Sequence, residues 1–182
     1  MSNYLRAKTT GATYFFTLVT HQRQRFLCDE PFRAALREAV GRVRASHPFA
    51  IDGWVLLPDH MHCIWTLPPG DAAFGTRWGM IKRQVSISCP FLREDHRLNA
   101  SRKNRHESSL WQRRFWEHMI RDDDDYAHHM DYLHYNPVKH RLVRSVQDWP
   151  HSTFHRLVEQ GVYEASWGQA LEGRDDMSFG EP

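Results

Sequence analysis

The sequence predicts an α+β fold in which helices back a single antiparallel sheet. Short β-branched and aromatic runs alternate with segments of helical periodicity, and clusters of Pro and Gly separate them. The predicted order is strand–helix–strand–strand–helix–strand–helix, which a ferredoxin-like (RRM-like) sandwich accommodates most simply. A length of 182 residues leaves room for one domain with some decoration.

The first half of the chain supplies three strands and one helix. Residues 13–20, TYFFTLVT, are β-branched and aromatic without a breaker, which predicts the first strand. Apolar residues then recur at helical spacing from Pro31, which suits a first helical position, and the helix is expected to stop near His47-Pro48. Two further strands are predicted over residues 49–57 and 60–67.

The second half supplies two helices and one strand. A helix fits residues 74–88, and the polar, cationic residues 92–108 predict a basic loop. Residues 111–120, WQRRFWEHMI, have a strand-like pattern. Acidic residues 122–125 suit the N-terminus of a last helix, which is expected to bend or end at Asn136-Pro137.

Composition narrows the functional classes. The 41% hydrophobic and 25% charged content excludes collagen, coiled coil and a wholly disordered chain. No apolar run approaches the ~18 residues of a membrane span, and no signal-peptide pattern opens the chain, so no membrane partner is expected. The three cysteines lack CxxC pairing, which favours a reduced, cytoplasmic setting. The P-loop pattern is absent, so no nucleotide cofactor is expected.

His60-Met61-His62 is the sharpest local motif. Side chains alternate along a strand, so His60 and His62 point to one face while Met61 and Cys63 point to the other. Two imidazoles on one face can bind a divalent metal that takes a third ligand from elsewhere. The alternative is a pair of histidines on a solvated strand face.

A second motif lies on the predicted last helix. Tyr132 and Asn136 are four residues apart, so they share a helix face. An amide oxygen is a hard ligand that suits Mg²⁺ or Mn²⁺, and a tyrosine one turn away would hold its phenol beside such a metal. The alternative is that Tyr132 packs with Met130 and Leu133 while Asn136 merely ends the helix.

Three segments, in this order and spacing, resemble the REP-associated tyrosine transposases, a branch of the single-tyrosine HUH (His-hydrophobe-His) transposases of bacterial insertion sequences. They are LLPDHMHCIWTLP, LWQRRFWEHMIRD and HHMDYLHYNPVKHRLV. The similarity runs from about Tyr14 to about Arg156 and includes DWPHSTFHR. It implies an HUH-type nuclease fold over residues 1–143, with a C-terminal extension over 144–182 whose last residues we expect to be disordered.

The resemblance implies roles for the matching positions only. His60 and His62 would be the metal pair, and Asn136 would be the third ligand of Mg²⁺ or Mn²⁺. Tyr132 would be the nucleophile, forming a 5′-phosphotyrosine when single-stranded DNA is cleaved and rejoined at palindromic, REP-like hairpins during DNA transposition. Arg141 departs from the family pattern, in which a glycine usually follows NPVKH.

Cations and aromatic rings near these motifs are candidate DNA contacts. The candidates for phosphate binding are Arg77, Lys82, Arg83, Arg102, Lys103 and Arg105, and those for base stacking are Trp78 or Trp116. Lys82 and Arg83 fit the solvated side of a helix equally well. The protein is expected to act as a monomer or homodimer in the cytoplasm, associated with the nucleoid.

Two other functions stay open. One is a catalytically silent regulator that binds hairpin DNA, and the other is a zinc-dependent hydrolase that uses His60 and His62. The regulator would bind DNA without a covalent adduct. The hydrolase would use water as its nucleophile, and its activity would survive Tyr132→Phe.

Overall fold

A computed structural model describes residues 9–92, 104 and 108–169 of the chain. Within these residues one antiparallel sheet contains four strands, which are β1 (Thr13–Val19), β2 (Ala50–Leu56), β3 (His60–Thr66) and β4 (Trp116–Met119). The α-helices described there are α1 (Glu30–Ser46), α2 (Phe74–Ser88), α3 (Asp123–Lys139) and α4 (Phe154–Glu159). The α+β class predicted from the sequence is confirmed.

The strand order in the sheet is β2-β3-β1-β4, so β3 and β1 are central and β2 and β4 form the edges. The elements from β1 to β4 follow one another as βαββαβ, the element order of the ferredoxin-like motif. His62 on β3 lies opposite Thr17 on β1, and Thr17 in turn lies opposite Trp116 on β4. These three side chains therefore share one face of the sheet.

The two faces of the sheet are covered by different helices. On the face that we call the apolar face, α1 and α2 cover large side chains of the central strands, and Trp65 of β3 stacks on Trp78 of α2 with ring centroids 4.0 Å apart. On the opposite face, which we call the α3 face, Phe15 and Ile64 pack with Leu133 of α3. Period-2 alternation thus divides the core into two layers.

Helix α3 is held closely against the edge strand β2. Its N-terminus is capped by Asp122, whose side chain accepts a hydrogen bond of 2.8 Å from the backbone N–H of Asp125. A register shift in β2 lies between Ile51 and Gly53. A Cβ atom at Gly53 would lie 2.7 Å from Met130 Sδ, so the missing side chain permits this close approach of α3.

The last helix was predicted to bend or end at Asn136-Pro137, and an end there is wrong because α3 runs on to Lys139. A proline inside a helix removes one backbone donor. Here the loss falls in the last turn, where the carbonyl of Asn136 still accepts a hydrogen bond of 2.9 Å from the backbone N–H of His140. The helix therefore continues through Pro137.

The strand predicted over residues 111–120 is shorter in the structure, since β4 covers only Trp116–Met119. Extending the register from the pair Trp116 and Thr17 would place residue 113 opposite Thr20, whereas the observed partner of Thr20 is Trp111. The chain therefore bulges between these two pairings. Arg113 and Arg114 lie exposed within the bulge.

The residues after α3 pack against the edge strand β2. Ser152 forms a bridge with Val55, and the indole N–H of Trp149 donates to the carbonyl of Leu56 at 2.9 Å. Most of the predicted basic loop 92–108 and the predicted disordered end lie outside the described residues. Among the helices that the structure describes, not one has the length and apolar character needed to cross a membrane.

Candidate active site

His60 and His62 lie on the α3 face of β3, near the middle of the sheet. Both are buried, and their ring centroids are 5.1 Å apart. Met61 and Cys63 point into the core of the apolar face. The alternation predicted for this motif is therefore confirmed, whereas the alternative of a solvated strand face is wrong because both imidazoles are covered.

A hydrogen bond at Nδ1 orients each imidazole. Nδ1 of His62 lies 2.9 Å from Thr17 Oγ1, and Nδ1 of His60 donates to Asp59 Oδ1 at 2.7 Å. Burial by itself would raise the pKa of Asp59, but hydrogen bonds from His60 and Arg23 hold it below its ordinary value. Such partners fix the ring orientation of histidines that use their other nitrogen, Nε2, to bind a ligand.

Asn136 of α3 adds an amide to this pair. Its side chain is fully buried, and neither Oδ1 nor Nδ2 has a hydrogen-bond partner in the part of the chain that the structure describes. Nε2 of His62 is likewise buried without a partner. Because buried polar atoms in proteins are nearly always satisfied, this group of unpartnered atoms is the kind that a bound ion would complete.

The donor chemistry also fits a divalent metal. Burial and the nearby His60, His140 and Lys139 lower the pKa of His62 well below its ordinary value, so the ring is neutral, the form that binds metals. The nearby Asn136 amide acts to raise the pKa of His62, although the side chains of Asn136 and His62 do not form a hydrogen bond of ordinary geometry. Imidazole nitrogens suit transition metals and an amide oxygen suits Mg²⁺ or Mn²⁺, so this mixed set of donors fits a divalent metal.

Tyr132 lies beside the same histidines. Its ring centroid is 5.4 Å from that of His62, and its ring also packs in the core of the α3 face, 6.0 Å from Phe15. Lys139 places Nζ 3.4 Å from the phenol oxygen and 4.8 Å from the ring centroid. The phenol is thus packed, as the alternative interpretation expected, and its oxygen also lies beside a cation near the histidine pair.

Three residues of this site were not among the predicted site residues. Asp59 holds His60, Lys139 contacts the Tyr132 oxygen, and the ring of His140 lies 5.0 Å from that of His60. Their positions in the sequence could have identified them, because Asp59 directly precedes the HMH motif and the other two belong to NPVKH.

A second cluster joins β4 to α3 on the same face. In the described part of the chain, His118, Asp125 and His129 bring one possible ligand atom each to within 4.8 Å of one another. The two imidazoles reach different oxygens of Asp125, at 2.8 and 3.0 Å, and the Arg121 guanidinium also donates to it at 3.1 Å. Burial would raise the pKa of Asp125, but hydrogen bonds from His118 and Arg121 bring it far below its ordinary value. This carboxylate is therefore occupied by protein donors.

The predicted DNA contacts of Arg77 and Trp78 are wrong, because both side chains are buried. Arg77 is 1% exposed and donates to Asp71 at 2.6 Å and to the carbonyl of Pro48 at 2.9 Å, so its charge holds the loop before α2. Trp78 is stacked on Trp65 in the apolar face. Helical spacing placed Trp78 on one side of α2 with Ile81 and Val85, which indicated its burial, but gave no signal for the burial of Arg77.

The other candidate DNA contacts stay predictions. Lys82 donates to the carbonyl of Gln112 at 2.9 Å, and Arg83 is exposed on α2. Trp116 is half-buried on β4, with its ring parallel to that of His118 at 5.9 Å. The remaining candidates lie outside the described residues; they are Arg102, Lys103 and Arg105.

Comparison with known proteins gives full-length matches. The chain is 43% identical over 181 residues to the REP-associated tyrosine transposase of Escherichia coli K12, covering 100% of this chain and 98% of that protein. A Haemophilus influenzae protein that provisionally carries the same description is 43% identical over 171 residues, 92% of this chain and 94% of that protein. A solved structure of the REP-associated tyrosine transposase bound to a REP hairpin matches with a TM-score of 0.81 at 43% identity, covering 100% of this chain and 98% of that one. No family model matches.

Proposed function

This chain belongs to the REP-associated tyrosine transposases, and from that premise we propose that it cleaves and rejoins single-stranded DNA at palindromic, REP-like hairpins with Tyr132 as the nucleophile. One observation carries the proposal: buried, unpartnered polar atoms of His62 and Asn136 lie in the same site as the Tyr132 ring. A merely structural core would satisfy such atoms or replace them.

The same side chains would hold the metal. His60 and His62 would supply their Nε2 atoms to Mg²⁺ or Mn²⁺, and Asn136 would supply Oδ1. When bound, such an ion polarises a phosphoryl group and neutralises the charge that develops on it. Thr17 and Asp59 keep the two rings in the orientation that this binding needs, because each occupies an Nδ1 atom.

Tyr132 would perform the covalent step. A phenol with an ordinary pKa near 10 is a weak nucleophile at neutral pH. The Lys139 ammonium group, 3.4 Å from the phenol oxygen, favours negative charge there. The phenol gives up its proton as its oxygen forms a bond to phosphorus. The bond from phosphorus to the 3′ oxygen breaks, and that oxygen takes up a proton to leave as a 3′-OH, so protons balance over the step. Attack by a 3′-OH on the phosphotyrosine reverses these steps and restores Tyr132.

The proposed partner is hairpin DNA. The solved relative with 43% identity is bound to a REP hairpin, and it covers the full length of this chain. Attack by a side chain in a cleft needs a phosphate in an accessible single strand, which the flank of a hairpin offers. We therefore propose a single-stranded segment beside a palindromic stem as the substrate.

A covalent-adduct assay tests the proposal. The protein is incubated with end-labelled hairpin oligonucleotides and Mn²⁺ or Mg²⁺, and labelled protein is resolved on a denaturing gel. We expect Tyr132→Phe to abolish the adduct while hairpin binding persists, because the fold keeps the ring and loses only the nucleophilic oxygen.

Tyr135→Phe is the matched control, since Tyr135 is half-buried on the same helix and should leave the adduct unchanged. An adduct that persists in Tyr132→Phe would overturn the assignment of the nucleophile. Hairpin binding without any adduct in the unmodified protein would favour the silent regulator, and cleavage without an adduct would favour the hydrolase.

A further inference from the structure

A groove lies on the outer side of β2, lined by none of the residues of the candidate active site. It has a volume of about 680 Å³ and runs between α1, the edge strand β2 and residues 150–156. This volume is within the range of sites that hold small ligands or segments of larger ones. The residues after α3 form one wall, so the groove depends on their packing against β2.

The charge of this groove is one-sided. Among the described residues, four arginines line it and no aspartate or glutamate does; the arginines are Arg33, Arg37, Arg44 and Arg156. One of the four, Arg33, pairs with Glu30, which is not among the lining residues. Guanidinium groups match the geometry of phosphate oxygens and remain charged at any physiological pH. The groove is therefore complementary to a polyanion.

Three of the arginines are fixed in place by backbone carbonyls, and the first is Arg33, which donates from Nε to the carbonyl of Cys28 at 3.0 Å. Arg44 donates from Nε to the carbonyl of Phe49 at 3.1 Å, and Arg156 donates to that of Asp52 at 2.8 Å. A guanidinium has five N–H donors, so these contacts leave donors for a ligand. Arg37 is exposed on α1 and, among the described residues, has no ion-pair partner.

The floor of the groove is apolar. Val40, Ile51 and the half-buried Trp54 lie between the arginines. Grooves that bind nucleic acids combine cations for the phosphates with apolar or aromatic surface for sugars and bases. A simple anion site would need the cations alone.

We infer that this arginine groove is a second DNA-contact surface, which holds the phosphodiester backbone of the hairpin away from the site of chemistry. The inference rests on the proposed function and adds to it a place where the DNA is held during binding. Because the groove contains no residue of the site around Tyr132, its arginines contribute affinity and leave the covalent step to that site.

The test compares two arginines of the same helix. Arg37 lines the groove, whereas the exposed Arg42 pairs with Glu38 and does not line it. The Kd for a labelled hairpin is measured by fluorescence anisotropy over a series of KCl concentrations. We expect Arg37→Gln to weaken binding roughly three- to ten-fold and to reduce the slope of log K against log salt by about 1. Arg42→Gln should resemble the unmodified protein.

A second readout separates binding from chemistry. At saturating hairpin, Arg37→Gln should form the covalent adduct at the rate of the unmodified protein, because only affinity is lost. If the unmodified protein binds no hairpin, the proposed function fails and the groove inference fails with it. If it binds, and the two glutamine variants have the same Kd and salt slope, the groove inference alone is overturned. A competition experiment gives a further check. If inorganic phosphate displaces the labelled hairpin as well as unlabelled hairpin does at the same total charge, the groove is a simple anion site and the inference is overturned.

Discussion

The two faces of the sheet differ in what they bury. On the apolar face, Trp65 and Trp78 stack at 4.0 Å within a continuous cluster of large side chains. On the α3 face, the core surrounds imidazoles and an amide, and polar atoms of His62 and Asn136 are buried without partners. Burial of apolar area stabilises a fold, whereas unpartnered polar atoms destabilise it. The fold therefore gains most of its stability on one face and supports reactive groups on the other.

Unpartnered atoms by themselves do not separate the two faces. The indole N–H groups of Trp65 and Trp78 also lack hydrogen-bond partners. An indole nitrogen, however, is a donor only, on a large apolar ring. The imidazole nitrogen of His62 and the amide oxygen of Asn136 have lone pairs that can bind a cation. Isolated atoms with lone pairs also occur on the other side of the sheet, as at Gln84 Oε1 of α2, so the candidate active site is marked by the grouping of such atoms from His62 and Asn136 beside Tyr132.

Acid should destabilise the α3 side, and this is the largest effect on stability that we expect in the absence of added metal. His134 of α3 is buried, and burial lowers its pKa to about 3. Between pH 6.5 and 3 the unfolded chain binds a proton that the folded chain excludes, so stability falls as pH falls below 6.5. The contribution amounts to about 2 kcal/mol at pH 5. In urea unfolding, His134→Gln should lose less stability than the unmodified protein between pH 7.5 and pH 5.

Above pH 7.5 the ordinary histidine is neutral in both the folded and the unfolded state. The stability curves of the two proteins should therefore run parallel there, which is the internal control. Stability curves that stay parallel over the whole range from pH 7.5 to 5 would show that His134 does not contribute to the loss of stability in acid. His62 and His129 also have pKa values below the ordinary histidine value, so His134 is tested by the difference between the two proteins and not by the total loss of stability in acid.

Much of the fold was predictable because local patterns and tertiary packing agree. Alternation on β1 and β3 and helical periodicity on α1 and α2 match the faces that these elements bury. The failures occur where tertiary contacts override the local signal. Pro137 predicted the end of a helix, but its lost donor falls in the last turn of α3.

The sequence placed the candidate site residues on their elements, but it did not place the residues that surround them. Tyr132 and Asn136 share a helix face by spacing, and their position beside His62 follows from how α3 packs on β3, which no local pattern encodes. The burial of Arg77 was invisible for a related reason: a cation on a helix suggests solvent until its partner, Asp71, is placed by the fold. Local patterns in the sequence therefore do not predict contacts between residues that are distant in the chain.

Replacing Asn136 by leucine should stabilise the fold and remove a proposed metal ligand. In EDTA, Asn136→Leu should raise the free energy of unfolding by about 1.5 kcal/mol, because it removes a buried amide whose atoms have no partners. Added Mn²⁺ should stabilise the unmodified protein, by about 2.7 kcal/mol at 100 times its Kd, and should leave the leucine variant unaffected. Thermal unfolding with and without the ion measures both effects.

Asn136→Asp provides the matched control. It keeps an oxygen ligand and adds a buried charge, so it should be less stable than the unmodified protein in EDTA and should still respond to Mn²⁺. The three proteins should therefore change their order of stability when the ion is added. A leucine variant that still gains stability from Mn²⁺ would place the ion elsewhere on the protein.

The end of α3 also contains a residue that lowers stability, by less than Asn136 does. Arg141 has a φ of 56°, in the left-handed region, where the family pattern usually has glycine. Its N–H donates to the carbonyl of Val138 at 2.8 Å, and that of Leu142 donates to the carbonyl of Pro137 at 2.9 Å. This pair of bonds is the Schellman termination, which most often uses glycine. The helix thus ends as a glycine would end it, although arginine is strained there.

Arg141→Gly should therefore stabilise the protein, and this is the smallest effect that we expect. Relief of the left-handed backbone gains roughly 1–2 kcal/mol, and the greater freedom of glycine in the unfolded chain offsets roughly 0.5–1 kcal/mol of it. The net gain of about 0.5–1 kcal/mol is measurable by thermal unfolding. Arg141→Ala retains the Cβ and should gain nothing, so equal gains in both variants would show that the arginine side chain, and not its backbone, limits the stability of the α3 side. Because His140 lies directly before this turn and contacts His60, the glycine variant should also form the adduct at least as fast as the unmodified protein.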